Sequence, residues 1–233
     1  MHCFWGHKEG ETLSLHPDEL VHAVKVLRIA PSDIIHVFDG NGDTYIGRVT
    51  HVHKKYVHAL CVETRKAYGA VTGFLHVAIS PTKNIDRMHF FLEKACELGI
   101  HAMTPLLSFH SERRNWNAER AERVLRAACT QSQKGTMPAL HAPQKFGEFL
   151  QELPKGAKGY IATCIPEERE DLVAALRQSP DVPTFIMIGP EGDFSPEELT
   201  LAKNAGWKHV HLGYHRLRTE TAGLYAVAAF AQR

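Results

Sequence analysis

Three stretches in the C-terminal half hold the residue types best suited to chemistry: Cys164-Ile165-Pro166, Gly189-Pro190-Glu191-Gly192-Asp193-Phe194, and the run from Gly213 to Gly223. Glycine lets backbone N–H and C=O groups come close to a ligand. The middle stretch adds two carboxylates, Glu191 and Asp193. Neither GxGxxG nor GxxxxGK[ST] occurs, and paired carboxylates repel phosphate, so the residues argue against a phosphate-binding loop. Carboxylates beside free backbone groups suit ribose hydroxyls, an adenine edge or a cation. S-adenosylmethionine offers all three and carries no phosphate. Ordinary turn glycines are the competing reading of any one of these stretches.

Other chemistries are weaker in the sequence. Among 16 histidines, the pairs His51/His53 and His209/His211 are spaced to share one face of a strand. No carboxylate or cysteine stands at a supporting distance, so no metal is expected. Cys3, Cys61, Cys96, Cys129 and Cys164 form no CxxC pair. That argues against a zinc site or a disulfide framework and fits a reducing cytoplasm. No apolar run reaches membrane-span length, and the N-terminus does not read as a signal peptide. The formal net charge is +1, so any surface for nucleic acid must be local.

The elements that must carry these stretches fall into two regimes. Residues 1–68 read as short strands (34–39, 44–51 and 56–63) with turns at Asp39-Gly40-Asn41-Gly42 and Lys54-Lys55. Pro17 and Asp18 open a short helix with Leu20, Val24 and Leu27 on one face. This is a small β-barrel-like module, and 68–73 is a glycine-bearing linker. Residues 73–233 alternate strand and helix, the pattern of an α/β domain with a largely parallel sheet. Strands are expected at 74–80, 158–163, 184–188 and 209–212. A helix over 85–98 turns Met88, Phe91, Leu92, Ala95 and Leu98 inward and stops at Gly99. Asn117 caps a second helix, and Ser195-Pro196-Glu197-Glu198 is a capping box opening a third. Thr219 or Glu220 opens an alanine-rich terminal helix. The three chemical stretches then leave the C-terminal ends of successive strands, where parallel sheets bind ligands.

Ile188 through Ser195, then Leu212-Gly213 and Leu217-Arg218-Thr219-Glu220-Thr221-Ala222, resemble the signature of the ribosomal small-subunit RNA uridine-N3 methyltransferases (RsmE), of the SPOUT class. Lys25-Val26-Leu27-Arg28, Pro81-Thr82-Lys83, the run from Leu92 to Gly99, Thr104-Pro105-Leu106 and Gln131-Ser132 support the resemblance, which covers nearly the whole chain. Asp193 departs from it, since many relatives have a third glycine there. The resemblance implies a PUA-like barrel at 1–68 that binds RNA and a SPOUT α/β domain with a deep trefoil knot at 73–233. It also implies a homodimer, and S-adenosylmethionine held bent in the knot near the subunit interface. Small residues of the last helix, Ala222, Ala226 and Ala229, suit close packing in such a dimer or in the chain's own core.

Given that resemblance, Gly189, Gly192 and Gly213 are expected to present backbone to the cofactor. Ile188, Leu212, Leu217 and Ala222 are expected to shape its pocket, Glu191 to accept a ribose hydroxyl, and Thr219 and Thr221 to hydrogen-bond it. Turns, core packing and helix caps are the plainer roles for the same residues. Arg218 is the catalytic candidate: its fork of donors can hold an RNA phosphate or stabilise the uracil imide as the N3 proton leaves. Lys25, Arg28, Lys83, Arg113, Arg114 and Arg216 are candidate RNA contacts, with Trp116 beside the paired arginines. The expected reaction is direct methyl transfer to N3 of a uridine in 16S ribosomal RNA of the small subunit, and no general base stands out. Competing readings are another SPOUT enzyme acting on transfer RNA or on a ribose hydroxyl, and a non-catalytic RNA-binding assembly factor. In residues 1–68, eight Lys/Arg balance eight Asp/Glu. So little non-specific attraction favours a folded particle over naked RNA as substrate.

Overall fold

The computed structural model describes residues 2–165, 168–178 and 181–233. These residues divide into two compact units, one of Met1–Ala70 with Leu125–Met137 and the other of Val71–Val124 with Pro138–Arg233.

The first unit is a closed barrel of β1 (His2–Glu9), β2 (Thr12–Leu15), β3 (Ile34–Phe38), β4 (Thr44–His53) and β5 (Tyr56–Arg65), joined in the order β1-β2-β5-β4-β3. Alternation drives closure: Leu13 and Leu15, Ile35 and Val37, and Val57 and Ala59 point inward with Phe4 and are almost wholly buried. The helix expected after Pro17 is instead a 3-10 turn, Pro17–Glu19, followed by a five-residue π-helical turn, His22–Val26. Leu20 is buried and Val24 and Leu27 pack against the barrel core, so the apolar face is the expected one. Lys25 and Arg28 stay exposed, Arg28 at a φ of +52°. β1 and β2 have no counterpart in the sequence reading, because the β1 segment carries its alternation through Phe4 and Gly6 rather than a β-branched run. Residues 125–137 join this unit through bridges from Thr136 to Gly40 and Asn41 and an Arg126–Asp18 ion pair at 3.7 Å.

The second unit is built on parallel strands β6 (Leu75–Ile79), β7 (Ala102–Leu107), β8 (Ala139–Leu140), β9 (Gln144–Lys145), β10 (Lys158–Ala162), β11 (Glu170–Asp171), β12 (Thr184–Ile188) and β13 (Lys208–His211). Their order is β11-β13-β10-β12-β6-β7-β8, with β9 on β7. β13 therefore enters the sheet between two strands that precede it in the chain. β6 and β12 are buried along their whole length, as befits parallel strands covered on both faces. Phe185, Met187, Ala78, Leu106 and Ile161 face α3 (Phe146–Leu150) and α5 (Pro196–Asn204), with Phe149, Leu199 and Trp207 in the same core. On the other face, Ile79 meets α1 (Ile85–Leu98) and α6 (Thr219–Ala231), where a Cβ on Gly223 would lie 2.6 Å from Phe91.

Local signals set the helix ends. Gly99 adopts φ +98° and its N–H closes α1 on Ala95 and Cys96. Cys96 is buried where Leu98, 39 % exposed, was expected. Asn117 Oδ1 accepts the Arg120 N–H at 2.9 Å and opens α2 (Ala118–Ser132). Ser195 Oγ accepts the Glu198 N–H while Glu198 Oε2 accepts the Ser195 N–H, which completes the capping box of α5. α4 (Leu172–Arg177) follows β11 and is capped by Asp171. All five cysteines are free, and among the described residues no helix is long and apolar enough to cross a membrane.

Candidate active site

β12, β10 and β13 are neighbours in the sheet, so the loops after them open side by side at its C-terminal edge. They enclose a cavity of about 350 Å³, within the range of small-molecule sites. Ile188, Gly189, Glu191, Leu212, Gly213, Leu217, Thr219, Ala222, Arg216 and Arg218, all expected from the sequence, line it. Gly192 and Thr221 do not. The space a side chain at Gly192 would need is held by His110, whose Cβ lies 3.0 Å from an added Cβ. Thr221 is exposed on the first turn of α6. Ala222 and Ala226 are buried inside the unit, and Ala229 is half-buried.

One wall is tightly tied. Pro190 O accepts the Asp193 N–H at 3.0 Å, a turn that leaves Asp193 at φ +63°, in the left-handed region that favours glycine. Its carboxylate answers that strain with three bonds. Oδ2 accepts from the Cys164 N–H at 2.7 Å and the Thr163 hydroxyl at 3.0 Å, and Oδ1 accepts from the Phe194 N–H at 2.8 Å. Asp193 thus pins the β12 loop to the β10 loop. Its backbone oxygen lies 3.0 Å from His110 Nδ1. Phe194, 1 % exposed, anchors the far end in the core, and a Cβ on Gly189 would come within 3.0 Å of its ring. Glu198 Oε1 accepts the Phe109 N–H at 2.8 Å, fastening the loop after β7 to α5. The Thr219 hydroxyl donates to Gly189 O at 3.2 Å, joining the β12 loop to the start of α6.

The opposite wall is loose. Gly213 turns the chain at φ +99°, and Tyr214, His215, Arg216 and Arg218 are exposed, Tyr214 completely. Among the described residues their side chains make no hydrogen bond or ion pair. Arg218 holds its place through its backbone, whose carbonyl accepts the Ala222 N–H at 2.8 Å.

Sequence reasoning missed Thr163, Arg169 and His211, which also line the cavity. Arg169 donates to Thr163 O at 2.7 Å and adds a third guanidinium to those of Arg216 and Arg218. The loop after β10 was singled out only as Cys164-Ile165-Pro166. Following it to the next strand would have reached Arg169, while Pro166 lies outside the described residues. The remaining RNA candidates sit elsewhere. Lys25 and Arg28 are on the barrel unit. Lys83 pairs with Glu112 at 3.1 Å, Arg113 donates to Lys83 O at 2.9 Å, and Arg114 is exposed. Among the described residues no three His, Cys, Asp or Glu side chains are grouped to hold a metal.

The lining suits a nucleoside with a charged tail. Ile188, Leu212, Leu217 and Ala222 offer apolar contact to a flat base, and backbone groups of Gly189 and Gly213 lie beside them. Glu191 can accept from ribose hydroxyls, and the guanidinium groups suit a carboxylate or a phosphate. The residues present therefore fit S-adenosylmethionine.

Comparison with known proteins agrees. Residues 72–231 match the RNA methyltransferase domain family, and residues 17–60 match the RNA methyltransferase PUA domain. The chain is 28% identical over 224 residues to the ribosomal RNA small subunit methyltransferase E of Rickettsia conorii, covering 94% of this chain and 89% of that one. A crystal structure of a probable rRNA-methyltransferase from Porphyromonas gingivalis superposes with a TM-score of 0.88 at 32% identity, over 97% of this chain and 95% of that one. The ribosomal RNA small subunit methyltransferase E of Neisseria gonorrhoeae, solved bound to S-adenosylmethionine, gives 0.84 at 29% identity over 98% and 96%.

Proposed function

The chain belongs to the ribosomal RNA small subunit methyltransferase E family of RNA methyltransferases, and on that premise we propose that it methylates N3 of one uridine in 16S ribosomal RNA, with S-adenosylmethionine as donor. The observation that carries this reading is the cavity at the ends of β10, β12 and β13, with an apolar nucleoside-sized floor and three arginines on its rim. When bound, S-adenosylmethionine supplies an electrophilic methyl group on a sulfonium.

The chain's own residues do the rest. Ile188, Leu212, Leu217 and Ala222 hold the base, the backbone of Gly189 and Gly213 binds its polar edge, and Glu191 accepts from the ribose. Thr219 keeps the β12 loop against α6, so the two halves of the pocket stay in register. Arg218, exposed at the rim and unpaired among the described residues, stabilises the uracil imide as N3 loses its proton, while Arg216 binds phosphate. Alignment supplies much of the barrier reduction and a fixed cation supplies more. Gly192 and Thr221 stand behind the lining, as support for the loop and the first turn of α6.

The reading includes a barrel domain at 1–68 that binds RNA, a methyltransferase domain at 73–233, a homodimer and a cytoplasmic place of work. The substrate is the assembled small subunit. It also includes a deep trefoil knot, supported by the entry of β13 between β11 and β10 and the return of α6 onto α1. Calorimetry of S-adenosylmethionine binding, and a mass-spectrometric map of methylated nucleosides in a strain lacking the protein, test the core of this reading. Loss of one N3-methyluridine from 16S RNA is expected. A map missing a transfer-RNA or ribose methylation instead would overturn it. Equal initial rates on small subunits and on RNA extracted from them would overturn the choice of substrate form.

A further inference from the structure

The barrel's formal charge is balanced, yet its charges are segregated. From Thr44 to Val62 the chain holds Arg48, Lys54, Lys55 and three histidines and no aspartate or glutamate, so every carboxylate of residues 1–68 lies outside this stretch. The stretch is β4 and most of β5, a hairpin whose tip is Lys54-Lys55. His53 and Tyr56 are direct cross-strand partners with ring centroids 5.0 Å apart, and Tyr56 stacks on His58 at 4.8 Å and 29°. His51 faces His58 across the ladder.

These rings are held in place. His53 Nδ1 accepts the Lys55 N–H at 3.2 Å, and His58 Nδ1 lies 3.0 Å from Ser14 Oγ on β2. The Thr50 hydroxyl donates to His58 O at 3.2 Å and lies 3.1 Å from His51 Nδ1. Tyr56 is nevertheless 45 % exposed, and His53, Lys54 and Lys55 are exposed. The acidic turn between β1 and β2 meets β5 at Cys61, away from the tip. A solvated strand face needs neither a fixed row of rings nor a hairpin stretch without a carboxylate of its own. Nor do the imidazoles form a metal-binding group.

We propose that the tip of the β4–β5 hairpin is a docking platform for single-stranded RNA, its rings continuing the stack of unpaired bases and its lysines meeting the adjacent phosphates. Pre-positioned aromatic rings beside cations are the general chemistry of single-strand binding, and a duplex hides the base faces such rings need. The platform rests on the reading of the protein as an RNA methyltransferase and adds to it where, on the barrel, the RNA is gripped.

The test uses the full chain and a fluorescein-labelled oligouridylate of about ten nucleotides, read by anisotropy at low salt. Tyr56→Ala is expected to weaken binding about tenfold, the loss of one stacked base. Tyr56→Phe, which keeps the ring, stays near the wild type. Replacing Lys54 and Lys55 together by serine flattens the slope of log affinity against log salt by about 1.4, the single-strand value for two phosphates. Unchanged affinity in Tyr56→Ala, an unchanged salt slope in the lysine variant, or tighter binding of a duplex of equal length would overturn the platform. S-adenosylmethionine affinity, measured on the same samples, separates the two proposals. Wild-type protein that binds cofactor but no oligouridylate overturns the platform alone, and protein that binds no cofactor strikes the methyltransferase reading.

Discussion

The two walls of the cavity, one acidic and one basic, are built in opposite ways. From Gly189 to Glu198, nearly every polar group has a partner: a turn at Pro190, three bonds to the Asp193 carboxylate, a capping box, and a buried Phe194 beneath. From Gly213 to Arg218, the side chains of Tyr214, His215, Arg216 and Arg218 are exposed and make no hydrogen bond or ion pair among the described residues, while Leu217 is half-buried in the lining. A rigid wall suits a ligand of constant shape, because groups already in place lose little entropy on binding. A wall of long, unpaired cations and one bare aromatic suits a large, irregular partner that must be met and released. On the proposed reading the tied wall serves the cofactor and the exposed cations of the other wall serve RNA, while Leu212, Gly213 and Leu217 belong to the cofactor's side.

The sharpest way to break the contrast is Arg218→Ala. Single-turnover methyl transfer to small subunits should fall by about 100- to 1000-fold, the usual effect of removing one donor to a developing anion. Cofactor affinity by calorimetry should barely move. An equal loss in both would move Arg218 to the cofactor wall. Arg218→Lys should restore only part of the rate, since a point charge cannot replace a fork.

The tied wall should respond the other way. Asp193→Ala removes the pin between the β10 and β12 loops and leaves a non-glycine residue at φ +63°. Cofactor affinity should drop by about tenfold or more, the scale of a charge-assisted bond lost. Asp193→Gly relieves the backbone but not the missing bonds, so it should recover thermal stability more than affinity. Full affinity in both variants would show that the pin is ornamental to the pocket.

A pH-dependent effect tests the strand beside that wall. His76 on β6 is paired in register with Phe185 of β12, buried at 4 % exposure, and hydrogen-bonded to Thr104 Oγ1 at 2.8 Å. Burial first, and the neighbouring His141 second, push its pKa down from 6.5 to about 3. The unfolded chain therefore takes up a proton that the fold refuses once pH falls below 6.5. Stability should decline through that window, by up to about 1.4 kcal/mol per pH unit from this group. Denaturant melts of His76→Gln with a slope equal to the wild type between pH 6 and pH 4 would assign the acid sensitivity elsewhere. The smallest effect belongs to Tyr214→Ala on the loose wall: within about 0.5 kcal/mol in stability and unchanged in cofactor affinity. A melting shift of several degrees would mean that the wall is not loose.

Features written in adjacent residues were legible from the sequence. The Gly99 stop, the Asn117 cap and the Ser195 box each need only a few neighbours, and the strands of β-branched residues needed only alternation. Elements defined by distant partners were not. β7 carries Pro105 within its run, and β8, β9 and β11 are two-residue strands whose pairing is set by the sheet. At the end of α1 Cys96 is buried and Leu98 is 39 % exposed, a difference at the helix terminus that periodicity alone does not resolve. At the site, the lining was readable from glycine, threonine and arginine clustered after strands. The work of Asp193 was not, since Thr163 lies 30 positions away and no local pattern links the two. Arg169 was within local reach, six positions after Thr163, but lies beyond the stretch read as the β10 loop.

β13 is inserted between β10 and β11, and Leu212 to Ala222 follow it directly into the cavity. The cavity is thus incomplete until β13 and the loop after it are in place. A polypeptide ending before residue 208 lacks Leu212, Gly213, Leu217 and Arg218 of the lining and should bind no S-adenosylmethionine, which calorimetry on such a truncation checks.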